Sequence, residues 1–434
     1  MTEAPAVPDP TPAEMPEPAV PAAPDATPAA DVAPAAMPGS TLPVTADPST
    51  AAMPNPVPTE APHPVPLAMP HPVSAATPRL TVDITPLLED EWTGISVFTR
   101  RLVQALERSR RVELDYSIRM TRIGRAEVRE TIRHGSGAFL RGRLNDRPAE
   151  GFEPLDPAIP LLYPSVKPSF GLARHEASTI HDISTLVMPE THDEANVAYH
   201  LDPLRDQMAT DEAVFCVSEA TRTALVDTFP WVAPKTRLLL QYVDWPEEFG
   251  LLDRNQPAIE LGRYAVVIGT IEPRKNLDLL LRALEHPSVA NSDLTFIVIG
   301  RRGWLAEQAL ARLRPQLQNR VRFTGFVSEF VKYRLLKAAE FLVLTSVYEG
   351  FGIPAVEAMS LGKPVLASLT SSFPEVIGDA GVYFDPFSVD EFAAGLKEIS
   401  NPGRAAELAP KALEQAASFT PERMAAPVLE WIGA

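Results

Sequence analysis

Residues 79–434 predict an α/β fold of two consecutive doubly wound domains, preceded over residues 1–78 by a disordered Pro/Ala-rich tail. Three observations carry this. From Leu80 onward, short apolar runs alternate with segments of helical period, the pattern of parallel strands joined by crossover helices. The alternation runs twice, interrupted around Trp245–Ile259 by a stretch rich in Pro, Asp, Glu and Asn. Before Leu80 the texture differs: residues 1–78 hold 22 of the 46 prolines, eight acidic residues and no Lys or Arg. Such a segment buries too little apolar surface to offset its ordering entropy, so it reads as disordered with polyproline-II character. It lacks the basic start and continuous apolar core of a signal peptide.

In the first series, strands are expected at Leu80–Ile84, Val112–Tyr116, Leu161–Tyr163, Ser178–His181, Ala213–Val217 and Arg237–Tyr242. Helical patterns fall at Ile95–Leu106, Ala195–Gln207 and Glu219–Thr228. The second series places strands at Tyr264–Ile268, Leu294–Ile299, Val321–Thr324, Phe341–Leu344, Pro364–Ala367 and Val382–Phe384. Its helices are Leu277–Glu285, Trp304–Leu313, Glu329–Ala339, Ile353–Leu361, Val389–Glu398 and Arg404–Ala417. The domains are therefore set at 79–250 and 251–418. Residues 419–434, with the short pattern Pro421–Ile432, form a C-terminal helix expected to pack back on the first domain. A ligand is expected between the domains, at the carboxyl ends of the strands.

Composition narrows the function. The tail supplies −8 of the formal charge of −17, which leaves a mildly acidic globular part and argues against general nucleic-acid binding. Cys216 is the single cysteine, which fits a reducing cytoplasm. No apolar run approaches the roughly 18–20 residues needed to span a bilayer.

The chemistry concentrates in Thr345–Ser368. Glu349 and Glu357 stand eight positions apart, with Gly350, Gly352 and Pro354 between them. The reading is strand, glycine-rich turn, short helix, strand, with Pro354 in the first helical turn and Gly362 ending the helix. It aims free N–H groups and a helix N-terminus at one spot, suited to an anionic or hydroxyl-rich ligand. Earlier, Gly269-Thr-Ile-Glu-Pro-Arg-Lys-Asn276 follows a strand and precedes a helix that Asn276 is suited to cap. Arg274 and Lys275 then lie where a diphosphate is naturally gripped, Arg as a two-pronged donor and Lys as a point charge.

Three segments in order, G-T-I-E-P-R-K-N-L from Gly269, F-T-G-F-V from Phe323 and S-V-Y-E-G-F-G-I-P-A-V-E-A-M-S-L-G-K-P-V from Ser346, resemble the donor domain of glycosyltransferase family four. These are retaining enzymes of the GT-B architecture, with two facing Rossmann-like domains. The resemblance is weaker in the first domain and does not reach the tail. It implies that Arg274 and Lys275 neutralise a nucleotide diphosphate and that Glu357 accepts the ribose hydroxyls. Glu349, with the backbone of Gly350, Phe351, Gly352 and Ile353, would hold the transferred sugar, and backbone near Phe326 and Val327 the base. In the first domain, Thr93-Gly94-Ile95 matches a glycine loop near the donor phosphates. Thr179-Ile-His181-Asp182-Ile-Ser184 matches a strand-end histidine near the sugar, with His181 expected to donate to a sugar hydroxyl and Asp182 to orient the loop or acceptor. Val217-Ser218-Glu219 resembles a strand-end serine and reads as a helix cap.

The implied activity is transfer of a hexosyl group, mannose preferred, from a nucleotide-diphosphate sugar to a glycan or lipid-diphosphate-linked acceptor in bacterial surface polysaccharide synthesis. The nucleotide sugar is a co-substrate. No metal cofactor is expected, since no Asp-x-Asp occurs and His192 and His200 stand apart from other ligands. A catalytically silent GT-B protein that binds nucleotide sugar or acts as a scaffold is the alternative. A nicotinamide-dependent Rossmann enzyme is more remote: Gly350-x-Gly352-x-x-Ala355 echoes its fingerprint but lacks an acidic residue after the next strand. Between Arg100 and Arg147 stand 13 Arg and six acidic residues. Arg122, Arg125, Arg129 and Arg133 recur at helical spacing, which suggests a face toward an anionic membrane and a peripheral position on its inner surface.

Overall fold

The computed structural model describes residues 77–92, 94–145 and 153–434. Almost all of the tail predicted as disordered lies outside the described residues, as do Thr93 and Arg147. The remainder contains two α/β domains. The first sheet comprises β1 (Arg79–Asp83), β2 (Glu113–Ile118), β3 (Thr121–Ile123), β4 (Leu161–Tyr163), β5 (Glu176–Ile180), β6 (Ala213–Cys216) and β7 (Thr236–Leu238). Its order is β3-β2-β1-β4-β5-β6-β7, parallel throughout except for the β2–β3 hairpin.

The second sheet comprises β8 (Tyr264–Ile268), β9 (Thr295–Ile299), β10 (Val321–Gly325), β11 (Leu342–Leu344), β12 (Val365–Ser368) and β13 (Gly381–Phe384). Its order is β10-β9-β8-β11-β12-β13, and every pair is parallel. Both sheets thus start in the middle, wind outward and reverse, the doubly wound arrangement that opens a crevice between the first and fourth strands of each. Helices cover both faces, which is why strands such as β5, β6, β11 and β12 are buried along their whole length rather than alternating.

Several local expectations change. The helix expected over Ala195–Gln207 is two helices, Glu194–Leu201 and Leu204–Thr210. Pro203, with no N–H to give, sits at the break. The stretch expected to be a linker contains the helix Glu247–Arg254, so the 250/251 boundary falls inside an element. Phe249 of that helix packs on Phe330 and Tyr333 at 5.3 and 5.7 Å between ring centres, and Asp253 binds Arg334 and Lys337 at 2.8 Å. Polar composition concealed an amphipathic turn. The hairpin strand β3 was not anticipated, and it takes Arg122 off the helix Arg125–His134. The arginines of that region are largely paired: Arg122 with Asp115 and Glu153, Arg125 with Glu113, Arg129 with Glu107 and Arg133 with Glu130.

The last helix, Pro421–Trp431, buries Met424, Ala425, Val428 and Leu429 in the same core as Leu102, Val103 and Leu106 of the first-domain helix Gly94–Ser109. Trp431 meets Phe215 of β6 edge-on at 6.1 Å and donates its Nε1–H to Glu212 at 3.2 Å. Among the described residues no helix is long and apolar enough to cross a membrane.

Candidate functional site

The loops at the carboxyl ends of both sheets enclose a cleft of about 450 Å³. Glu349, Gly350, Phe351, Gly352, Ile353 and Glu357 line it from the segment after β11, and Arg274 and Lys275 from the loop after β8. Phe326 and Val327 reach it from beyond β10, and Gly94, His181 and Asp182 from the first domain. The thirteen residues expected from the sequence to bind donor or acceptor therefore line one space.

Glu349 is half-buried at the switch point of the second sheet. Its Oε1 accepts from Lys275 Nζ at 2.5 Å and from Ser346 Oγ at 2.8 Å, while Arg274 lies 3.4 Å from Oε2. Burial opposes ionisation most strongly, yet the charges of Lys275 and Arg274, with the hydrogen bonds from Lys275 and Ser346, outweigh it and hold the carboxyl below its usual range. Gly350 and Gly352 are required for different reasons. A Cβ on Gly350 would stand 1.9 Å from the His181 carbonyl oxygen, so here the two domains touch backbone to backbone. Gly352 has φ 84° and caps the helix Ile353–Met359; a Cβ there would strike Phe373 at 2.7 Å.

Arg274 departs from its expected role. Its terminal nitrogens are occupied by the Tyr348 carbonyl at 2.9 Å, Glu272 at 2.9 Å and Glu349, so the two-pronged fork is not open to a diphosphate. Only its Nε lacks a partner. Arg274 supports Glu349, and Lys275 is the cation of the pair with donors to spare. The Asn276 side chain does not cap the helix Leu277–Ala283; it binds the Pro386 carbonyl at 2.8 Å instead.

Glu357 is 1% exposed, and its Oε1 accepts from Lys332 at 2.7 Å and faces Arg101 at 3.4 Å. Its Oε2 is buried and has no hydrogen-bond partner among the described residues. Arg101 comes from the first domain, and the adjacent Arg100 grips Glu329 at 2.7 and 2.8 Å. Glu375 returns the contact: its two oxygens accept the Glu219 and Ala220 N–H groups, each at 2.9 Å, at the start of the first-domain helix Glu219–Thr228. Ser218 caps that helix through its hydroxyl, as expected.

On the first-domain side, His181 is packed edge-on against Phe98 at 4.6 Å, and its Nε2 lies 2.8 Å from the Pro164 carbonyl. Burial pushes its pKa down, so the ring is neutral. The carbonyl can only accept, which assigns the proton to Nε2 and leaves Nδ1 an acceptor. His181 thus presents the opposite of the donor expected from sequence. Asp182 accepts from the Ser184 N–H at 2.9 Å and hydroxyl at 2.6 Å, fixing its own loop. Nothing of the protein lies within 4 Å of a Cβ added at Gly94, the first residue of its helix.

Lys332, Arg101, Arg301, His192 and Asn196 belong to the cleft or its immediate support and were missed. Arg301 had a signal: it follows the strand-end glycine Gly300, whose Cβ would fall 1.9 Å from the Gly269 carbonyl oxygen. Arg101 had none, standing 256 positions from its partner Glu357.

Residues 252–416, in the second domain, match the family of glycosyl transferases group 1. The whole fold is GT-B: the structure of Anabaena Alr3699/HepE, solved in complex with UDP and glucose, superposes with a TM-score of 0.58 at 18% identity, covering 82% of this chain and 99% of that one. Among curated relatives, the Escherichia coli O-antigen chain mannosyltransferase B is 34% identical over 254 residues, 56% of this chain and 66% of its own. The serotype-specific mannosyltransferase WbdA of Escherichia coli is 25% identical over 222 residues, 48% of this chain. This chain spans just under two thirds of the first relative's length and 27% of the second's.

Proposed function

We propose that this chain transfers a hexosyl group, mannose in preference, from a nucleotide-diphosphate sugar to a glycan or lipid-linked acceptor, with retention at the anomeric carbon. The observation that carries the reading is the half-buried Glu349 carboxylate, kept ionised by Lys275 and Arg274 beside the His181 backbone, with Glu357 Oε2, unpaired among the described residues, in the same cleft. Carboxylates are the acceptors that sugar and ribose hydroxyls require, and a departing diphosphate requires positive charge. The similarity to two mannosyltransferases, one of them of the O-antigen chain, supports the choice of sugar and a role in surface polysaccharide synthesis.

In this reading Glu357 Oε2 receives a ribose hydroxyl, Glu349 and the Gly350–Ile353 backbone position the sugar, and Phe326 and Val327 border the base. Lys275 and the unpaired Arg301 face the diphosphate. The bond from the anomeric carbon to the phosphate oxygen breaks with its electron pair leaving on phosphate. The acceptor oxygen then bonds to the same face of the sugar, and its proton passes to the departing phosphate. No step calls for a divalent cation, so EDTA is expected to leave turnover unchanged. The protein would act in the cytoplasm, against the inner membrane surface where its acceptor is lipid-linked.

The test is calorimetry of the chain against GDP-, UDP- and ADP-sugars, followed by donor turnover with the best ligand. GDP-mannose should bind and be consumed. Binding without any turnover or hydrolysis would leave a sugar-nucleotide binding protein, and no binding by any donor would sink the reading.

A further inference from the structure

The second domain contributes eight charged side chains to the lining of the cleft, and the first domain contributes one, Asp182. Among the described residues no Lys or Arg of the first domain lines it. What lines it there is neutral and able to hydrogen-bond: His192, Asn196 and His200 around the helix Glu194–Leu201, with Thr179 and Trp92.

These groups have a fixed polarity. The Asp182 carboxylate accepts the Ser184 hydroxyl proton at 2.6 Å. Ser184 Oγ must therefore accept from His192 Nε2, 2.9 Å away, which leaves His192 Nδ1 as the acceptor for Asn196 Nδ2 at 3.1 Å. The chain ends on an amide of known orientation, whose second N–H and carbonyl oxygen remain for a ligand. His200 touches the Tyr199 ring at 5.0 Å and makes no hydrogen bond among the described residues. Burial pushes the pKa of both His192 and His200 down, so neither brings positive charge at neutral pH. Two further polar atoms, Trp92 Nε1 and Thr179 Oγ1, are buried without partners in residues that line the same space. Leaving a buried polar atom unmet costs stability that a bound partner would recover.

We propose that this first-domain lobe is a subsite for a neutral sugar residue at the end of the acceptor, held by Asn196 and His200, and that it excludes a phosphate. The inference rests on the glycosyl-transfer reading and goes beyond it by naming the acceptor's chemistry. A phosphate placed here would meet the Asp182 carboxylate. The cations that act on Asp182 are Arg274 and Lys275, and Glu349 already engages both. A sugar hydroxyl, both donor and acceptor, matches the mixed set of Asn196, His200 and Thr179. Any acceptor diphosphate then lies outside the cleft, and the enzyme extends an existing neutral glycan rather than adding the first sugar to a phosphate carrier.

The experiment is calorimetric titration of the full chain, with GDP or UDP present, by the methyl glycosides of mannose, glucose, galactose and N-acetylglucosamine, each beside its 6-phosphate. At least one neutral glycoside should bind, with its 6-phosphate about ten-fold weaker or more. Asn196→Ala and His200→Ala should each weaken that glycoside about ten-fold while nucleotide affinity, which reports the fold and the donor site, stays within about two-fold. A 6-phosphate that binds as well, or variants that bind the glycoside unchanged, would overturn the subsite. So would nucleotide binding with no glycoside bound by about 50 mM. If neither nucleotide binds, the parent reading fails first and this inference falls with it.

Discussion

Glu349 and Asn196 line the same cleft from different domains, and their surroundings differ in kind. Around Glu349 charge is met by opposite charge: Lys275 and Arg274 on Glu349, Glu272 on Arg274, and Lys332 with first-domain Arg101 on Glu357. Around Asn196 the Asp182 carboxylate organises neutral side chains through a line of hydrogen bonds, while Asp193 accepts the Asn196 backbone N–H as the helix cap. On the proposed reading the first arrangement takes up and releases a charged leaving group through Lys275. The second can only sort hydroxyls. One cleft therefore holds a half built for charge that changes during reaction and a half built for charge that does not.

The largest expected effect comes from breaking the charged half. Glu349→Gln and Lys275→Ala should each lower kcat/KM for transfer by about 100-fold or more, roughly 2.7 kcal/mol. Steady-state turnover with the best donor measures this, and near-normal rates in either variant would remove these residues from the chemistry. Gly350→Ala probes the seam between the halves, since its Cβ would stand 1.9 Å from the His181 carbonyl oxygen. It should force the domains apart, raise the radius of gyration in solution scattering and cut turnover about ten-fold. An unchanged scattering profile would show that the seam yields locally.

Smaller effects sharpen the contrast. Glu357→Gln should weaken the donor about ten-fold, with less change in kcat, because its role is in binding rather than in the transition state. Calorimetry with donor separates the two, and an unchanged Kd would release Glu357 from the ribose. The smallest effect is in the Arg100–Glu329 link between domains. Burial works against the Glu329 charge, but the Arg100 hydrogen bonds and charge prevail and draw its pKa from 4.5 down to about 2. A lowered carboxyl pKa stabilises the fold above the ordinary range and loses that contribution as pH falls toward the folded value. The stability advantage of the native chain over Glu329→Gln should hold above pH 4.5 and close as pH approaches 2, read by urea midpoints across pH. A gap that persists at the acid end would assign it to packing.

The same contrast explains which parts were legible. The charged half lies in two short segments, Gly269–Asn276 and Thr345–Ser368, each a strand end followed by a helix start, so spacing and residue type announce it. The neutral half is assembled from Trp92, Thr179 and the helix Glu194–Leu201, far apart in the chain and ordinary in composition. His192 looked isolated because its partners, Ser184 and Asn196, matter only once the loop after β5 folds beneath the helix. Polar composition hid the helix Glu247–Arg254, and a run of arginines at apparent helical spacing hid the strand holding Arg122.

By itself the sequence determined the doubly wound architecture, since the apolar period and the glycine punctuation act within a few residues of one another. It also determined the residue pairs that share a short segment, Arg274 with Lys275 and Glu349 with Glu357. Only the tertiary structure decided how those charges divide their work. Arg274 is withdrawn into Glu272 and Tyr348, and His181 becomes an acceptor through Pro164. Glu357 is left with one satisfied and one open oxygen by Lys332 and by Arg101 of the other domain. Hydrogen-bond polarity and charge pairing depend on distances of a few ångströms between segments far apart in the chain, and no local pattern encodes those.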